Sequence, residues 1–299
     1  MGDVLDSFSP ATREWFRGAF TAPTAAQTGA WEAVSGGDHA LVVAPTGSGK
    51  TLAAFLWAID RLATTIEPGT PRKTSVLYVS PLKALAVDVE RNLRSPLVGI
   101  TQTAKRMGAV PPVITVGVRS GDTPAAERRT LSKSPPDILI TTPESLFLML
   151  TSAARESLSE VSTVIVDEVH AVAATKRGAH LAVSLDRLDL LLAQPAQRIG
   201  LSATVRPREE VARFLAGGRP VAIVAPPSTK KFDLRVVVPV EDMTQIPPKD
   251  PGAGLSEGSA ARRTRCLASK SRSALLRLLR CRPVPVATAL GLTPGWWSI

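Results

Sequence analysis

Short runs of aliphatic and β-branched residues recur along most of the chain, each bounded by turn or capping residues. They are Ala40–Val43, Ser75–Val79, Val113–Val118, Asp137–Thr141, Ser162–Val166, Arg198–Leu201 and Pro220–Val224. Such near-continuous apolar runs predict strands buried on both faces. Between most of them lie helical patterns. Leu52, Phe55, Leu56, Ile59 and Leu62 form one apolar stripe, and Pro81–Leu93, Pro143–Leu150, Gly178–Leu192 and Pro207–Leu215 form others. Near the start, Ser9 reads as an N-cap with Pro10 at the first helical position, ahead of Trp15, Phe16, Ala19 and Phe20. Strands alternating with helices predict an α/β fold with a mainly parallel sheet flanked by helices. In such sheets ligands gather at the carboxyl ends of strands.

The polar residues at those strand ends carry the chemistry. Ala44-Pro45-Thr46-Gly47-Ser48-Gly49-Lys50-Thr51 separates a strand from a helix. A glycine-rich turn there exposes successive backbone N–H groups that wrap a phosphate chain. Thr46, Gly47, Ser48 and Gly49 form the cradle, Lys50 reaches the outer phosphates, and the Thr51 hydroxyl is placed for Mg²⁺. Asp167-Glu168-Val169-His170 follows the strand ending at Val166. Paired carboxylates there suit phosphoryl transfer, with Asp167 holding Mg²⁺ through water and Glu168 deprotonating the attacking water. His170 is read as a coupling residue, since His39 and His180 make no ligand cluster with it. Ser202-Ala203-Thr204 ends another strand. Its hydroxyls are placed to bond the Asp167–His170 loop, to cap the next helix, or both.

Gln27 has two readings. Its amide suits the adenine edge, with Phe20 or Pro23 on the base face. Equally, Thr24 and Gln27 fit a capping box, in which Gln27 bonds back to the Thr24 backbone. Ser80-Pro81-Leu82-Lys83 and Thr142-Pro143-Glu144-Ser145 each place Pro after a hydroxyl residue at an expected helix start, and Ser120-Gly121-Asp122-Thr123 makes a polar turn. Helix N-termini offer N–H groups and a positive dipole end to phosphates. Contacts of that kind ignore base sequence, so they point to a nucleic-acid strand recognised by shape. Each is also an ordinary cap or turn.

Charge adds less than it promises. The net charge is +10, yet residues 252–299 hold eight basic residues and one acid, leaving 28 basic and 25 acidic residues in 1–251. A nucleic-acid reading therefore rests on motifs. Two cysteines, Cys266 and Cys281, make no disulfide framework or metal spacing. No apolar run reaches the roughly 18 residues of a membrane span, and no secretory signal is expected at the N-terminus. A cytoplasmic protein without membrane association is the expectation.

Taken in order, Gln27, Ala44–Thr51, Pro81-Leu82-Lys83-Ala84-Leu85, Thr142-Pro143-Glu144, Asp167–His170 and Ser202–Thr204 resemble superfamily 2 helicases of the DEAD/DEAH type. Asp167-Glu168-Val169-His170-Ala171 followed by Lys176-Arg177-Gly178-Ala179-His180-Leu181 looks like the Lhr (large helicase-related) family, and Ser120-Gly121-Asp122-Thr123-Pro124 with Glu127-Arg128 agrees. The resemblance covers roughly 3–243. It implies a first RecA-like domain, ATP with Mg²⁺, and translocation on single-stranded DNA or RNA, unwinding duplex or RNA–DNA hybrids in bacterial DNA repair. It assigns Lys50, Asp167 and Glu168 to catalysis, Gln27 and Thr46–Thr51 to the nucleotide, and His170, Ser202 and Thr204 to coupling. Pro81, Lys83, Ser120, Gly121, Thr142, Pro143 and Glu144 are assigned to the strand.

The arginine-finger pattern Gln-x-x-Gly-Arg-x-Gly-Arg of the family's second RecA-like domain does not occur in these 299 residues. Residues 244–299 are expected to be a linker and irregular basic tail, read as a shifted frame. The expected behaviour is weak Mg-ATP binding, poor hydrolysis and no unwinding, with the second RecA-like domain the natural partner in cis. A kinase or ATPase of another class sharing the phosphate loop, and a non-catalytic nucleic-acid-binding fragment, remain the alternatives.

Overall fold

The computed structural model describes residues 3–65, 72–203 and 205–227; the expected tail, and residues 228–243 of the expected domain, lie outside the described residues. Each apolar run forms a strand: β1 His39–Val43, β2 Val76–Val79, β3 Val116–Arg119, β4 Ile138–Thr141, β5 Thr163–Val166, β6 Gln197–Ser202 and β7 Val221–Val224. They make one sheet in the order β3-β4-β2-β5-β6-β1-β7, and every pairing is parallel.

Alternation along the strands divides the core in two. Ala40, Val42, Val76, Tyr78, Ile138, Ile140, Ile165, Ile199 and Leu201 face α1 Pro10–Ala19, α2 Ala25–Ser35, α3 Lys50–Thr65 and α4 Lys83–Arg106. Leu41, Val43, Leu77, Val79, Leu139, Val164 and Val166 face α6 Pro143–Leu150, α7 Lys176–Leu191 and α8 Arg208–Ala216. With helices on both faces, polar side chains reach solvent chiefly at strand ends. Among the described residues, no helix is long and apolar enough to cross a membrane.

Five local features depart from expectation. Ser9 is the N-cap of α1 but makes no side-chain cap bond; its N–H and hydroxyl instead donate to the buried Asp60 carboxylate of α3. The helix expected to start at Pro81 begins at Lys83, with Leu82 as N-cap, so Pro81 stands outside the helix rather than just inside it. That helix runs past Leu93 to Arg106, through the buried Pro96. The proline forfeits one helical bond and strains the turn, at roughly 3 kcal/mol. Leu93, Ile100 and Ala104 are buried at helical spacing, and a Cβ on Gly99 would stand 2.0 Å from Trp15 Nε1 of α1, so close packing holds the helix through the break. Finally, α8 has Pro207 as N-cap without a side-chain bond, so a Ser202 cap on α8 is not observed, and α5 Ala125–Lys133 was not anticipated.

At the amino ends of the strands, the buried Arg198 donates to Asp189 (2.7 Å), Asp186 (3.3 Å) and the Leu215 carbonyl (2.9 Å), tying α7 to α8. Its backbone N–H donates to His39 Nδ1 at 2.9 Å. Burial, then the Arg219 and Arg198 cations, push the His39 pKa down. The unfolded chain therefore binds this proton at higher pH than the folded one. The contribution is complete above about pH 6.5 and is lost as pH falls towards the lower folded value, by at most about 1.4 kcal/mol per unit. Urea titrations between pH 7 and 5 are expected to show this decline, and His39→Asn, which keeps an acceptor without the titration, is expected to flatten it.

Candidate active site

The sheet order sorts the motifs. Ala44–Gly49, Ser202 and Asp167 sit at the carboxyl ends of the neighbouring strands β1, β6 and β5, while Ser80, Thr142 and Ser120 follow the neighbouring strands β2, β4 and β3. The Ala44 N–H donates to the Ser202 carbonyl at 3.1 Å, joining the start of the glycine-rich loop to its neighbour.

The loop is built for an anion. Gly47 and Gly49 have φ of +76° and +79°, the left-handed region that glycine enters without a Cβ penalty. A Cβ on Gly49 would also come within 2.6 Å of Gln27 Nε2. Lys50 opens α3 and is only 6% exposed, and its Nζ donates to the Ala44 carbonyl at 3.4 Å. The Ser48 hydroxyl is buried with no hydrogen-bond partner among the described residues. A buried ammonium on one distant carbonyl and an orphaned hydroxyl both fit a polyphosphate, which supplies acceptor oxygens to each.

Gln27 forms the capping box. Its Oε1 accepts from the Thr24 N–H at 2.9 Å, and its own N–H donates to Thr24 Oγ1 at 3.2 Å. Its Nε2 donates to the Gly49 carbonyl at 3.4 Å, and Thr24 Oγ1 donates to the Ser48 carbonyl at 2.8 Å. Gln27 thus braces the glycine-rich loop, and adenine pairing would require its amide to leave these bonds.

Asp167 is 5% exposed, and both oxygens are occupied. The Glu168 N–H donates to Oδ1 at 2.8 Å, and the Tyr78 hydroxyl donates to Oδ2. Burial first, then the Asp167 charge, drive the Tyr78 pKa up, so the phenol keeps its proton and stays a donor. Glu168 adopts φ 45° and ψ 45°; among the described residues it is the sole left-handed residue that is not glycine. Such backbone costs of order 1–3 kcal/mol and persists where its surroundings dictate it. Here the Asp167 carboxylate holds the Glu168 N–H, and the Glu168 carbonyl accepts from Ala171 at 2.8 Å.

His170 meets Ser202 as expected. Its Nδ1 lies 3.2 Å from Ser202 Oγ, 3.4 Å from the Ala203 N–H and 3.3 Å from Glu168 Oε2. With Nδ1 bare, the ring accepts from Ser202 or Ala203; with Nδ1 protonated, it donates to Glu168 or to the Ser202 hydroxyl. His170 thus stands within bonding reach of both the carboxylate and the neighbouring strand end. Thr204 lies outside the described residues.

In the other half, Thr142 caps α6 by accepting the Ser145 N–H at 3.4 Å, with Pro143 in the first turn. The Ser80 hydroxyl turns onto Leu82, accepting its N–H at 3.3 Å. Lys83 pairs with Asp122 at 2.7 Å, both side chains exposed. Ser120–Thr123 closes through Ser120 N–H to Thr123 Oγ1 at 2.9 Å, and Arg128 grips the Gly121 and Thr123 carbonyls at 2.7 Å each.

The Glu144 carboxylate is engaged within the protein. Arg177 of α7 engages it with two bonds, 2.5 and 2.9 Å, and donates to the Pro81 carbonyl at 2.5 Å. The guanidinium holds the Glu144 pKa down to about 2, so the carboxylate is ionised throughout the neutral range. Tyr78 and the bridging role of Arg177 escaped sequence reasoning. The signal for Tyr78 was a lone phenol inside an apolar strand, which needs a buried partner; for Arg177, spacing alone offered none.

A DEAD/DEAH box helicase family model matches residues 24–213. This chain belongs to the DEAD/DEAH box helicase family. It is 71% identical over 245 residues to the Lhr helicase/probable uracil glycosylase of Mycolicibacterium smegmatis, covering 82% of this chain and 16% of that protein. It is 58% identical over 254 residues to the Lhr helicase/uracil glycosylase of Escherichia coli K12, covering 83% and 16%. The structure of the Mycobacterium smegmatis helicase Lhr bound to ssDNA and AMP-PNP superposes with a TM-score of 0.76 at 70% identity, over 82% of this chain and 31% of that one. The fold is therefore the RecA-like domain, and the chain spans about 16% of the length of these curated relatives.

Close approach to a backbone carbonyl makes one glycine costly to replace. A Cβ on Gly178 would stand 2.0 Å from the Val172 carbonyl oxygen, in the turn that follows His170. Gly178→Ala is expected to lower stability by at least about 1–3 kcal/mol, read as a fall in urea midpoint. The control Gly18→Ala, where nothing lies within 4 Å of the new methyl, is expected to be neutral or stabilising by up to about 1 kcal/mol.

Proposed function

We propose that this domain is the ATP-binding half of a motor that translocates on single-stranded nucleic acid, of the Lhr type and serving DNA repair. The observation that carries the reading is the division of one sheet edge. Phosphate-loop and carboxylate chemistry occupy β1, β6 and β5, and three polar turns or helix starts occupy β2, β4 and β3. A kinase or small-molecule ATPase has no use for the second set. The solved relative with ssDNA and AMP-PNP supports the same pairing of ligands.

In this reading the Thr46–Gly49 N–H groups and Lys50 hold the phosphates of ATP. Thr51 and Asp167 are the residues that would hold Mg²⁺. Asp167 offers a buried carboxylate and Thr51 a hydroxyl, hard oxygen donors of the kind that Mg²⁺ takes. When bound, the ion neutralises charge on the phosphates. Glu168 orients water and accepts its proton, and His170 and Ser202 relay the state of that carboxylate; Thr204 is assigned to the same relay on its motif alone. Pro81, Lys83, Ser120, Gly121, Thr142 and Pro143 present backbone and cationic contacts to the strand, while Glu144 acts through Arg177. A second RecA-like domain is the partner that closes the other side of the ATP and supplies arginine fingers, worth about 10³–10⁵ in rate.

Anisotropy of a labelled oligo(dT), with and without Mg-AMP-PNP, tests this. Wild type is expected to bind the strand with a steep salt dependence and to respond to the nucleotide. Lys50→Ala is expected to lose the nucleotide response and keep strand binding. A wild-type domain that bound no nucleotide, or whose strand binding ignored it, would refute the reading. Arg177→Lys keeps the charge but not the two-pronged grip, and is expected to weaken oligo(dT) binding about five- to tenfold, the equivalent of about 1–1.4 kcal/mol. Unchanged affinity in that variant would separate Glu144 and Pro81 from the strand.

A further inference from the structure

The two halves of the sheet edge meet where β2 lies beside β5. Tyr78, the only tyrosine in the chain, stands on β2 two residues before Ser80. It is fully buried, and its ring stacks on Phe55 of α3 with centroids 5.0 Å apart and planes 29° apart. Phe55 lies five residues after Lys50 on the helix that the phosphate loop opens. The Tyr78 hydroxyl donates to Asp167 Oδ2, on the neighbouring strand end. The Asp167 N–H in turn donates to the Val79 carbonyl at 2.9 Å, so backbone and side chain cross the same seam in both directions.

A carboxylate with free rotation about its side-chain bonds loses entropy when it is fixed towards a cation. Asp167 is already fixed: Oδ1 is held by the Glu168 N–H and Oδ2 by the phenol. Each carboxylate oxygen can accept more than one hydrogen bond, so both keep capacity for a hydrated ion. The phenol itself is locked by its ring stack.

We propose that Tyr78 is a positioning residue for the nucleotide site: its hydroxyl presets the Asp167 carboxylate for a Mg²⁺-bound nucleotide and anchors it to the strand that leads into Ser80–Lys83. The inference rests on the ATP reading above and adds a residue that the phosphate-loop and carboxylate motifs do not contain. Tyr78→Phe keeps the ring and its stack on Phe55 and removes only the donor.

Titration with a fluorescent ATP analogue, in Mg²⁺ and in EDTA, tests the role in the full chain. In Tyr78→Phe the affinity in Mg²⁺ is expected to fall about tenfold, as for loss of one hydrogen bond to a charged group, with the affinity in EDTA unchanged. Equal losses in both conditions would reduce Tyr78 to a packing residue and overturn the proposal, as would a Mg²⁺ dependence identical to wild type. A second measurement needs no substitution at all. With 3-fluorotyrosine incorporated, the single tyrosine reports alone by fluorine NMR, and its resonance is expected to move with Mg-ATP and stay in place with ATP in EDTA. A resonance indifferent to Mg²⁺ would overturn the proposal even if Tyr78→Phe failed to fold. If wild type showed no Mg²⁺-dependent nucleotide affinity, the ATP reading would fail first; if wild type showed it and the variant kept it, the positioning role alone would fail.

Discussion

A strand covered by helices on both faces can offer polar chemistry only where it ends, and everything functional in this domain follows from that constraint. Seven parallel strands point their carboxyl ends in one direction, so backbone N–H groups, hydroxyls and carboxylates from distant parts of the chain collect along one edge. Strand order, not chain order, then decides which of them become neighbours. Ala44 and Ser202 are far apart in sequence and share a 3.1 Å hydrogen bond because β1 lies beside β6.

The same order puts a boundary through the edge. On one side stand the glycine-rich loop, Asp167–Glu168 and Ser202; on the other stand the turns after β2, β4 and β3. Two side chains span the boundary. Tyr78 crosses beneath it to Asp167, and Arg177, from the helix that follows the His170 turn, reaches Glu144 and the Pro81 carbonyl. In the proposed reading, a motor needs its two ligand sites to sense each other, and these bonds are physical connections between the two halves of the edge. His170 adds a third link, on the side of the edge that carries the glycine-rich loop, where one ring nitrogen lies within bonding reach of both Glu168 and the end of β6.

Crowding does for the backbone what these bonds do for the side chains. Gly49 is pressed against the Gln27 amide, and Gly178 against the Val172 carbonyl, so neither loop can relax without moving a neighbour. Glu168 is held in left-handed backbone by bonds on both its N–H and its carbonyl. Gln27, which spacing allowed as either an adenine contact or a cap residue, braces the glycine-rich loop from outside.

What the sequence determined by itself was mostly local, with α5 and the start of α4 as exceptions. All seven strands, the phosphate loop, the carboxylate pair and the cap at Thr142 were legible because periodicity, turn chemistry and short motifs act within a few residues. Legibility ended where distant residues meet. That Pro96 stays inside α4, that the N-cap Ser9 turns its hydroxyl onto Asp60 of α3, and that Glu144 pairs with Arg177 depend on packing between elements whose order in space is not written in their own residues. Tyr78 is the sharpest case: in the sequence it is one more apolar strand position, and only the pairing of β2 with β5 turns its hydroxyl towards Asp167. Burial then makes that bond obligatory, because a phenol inside a dry core must find an acceptor.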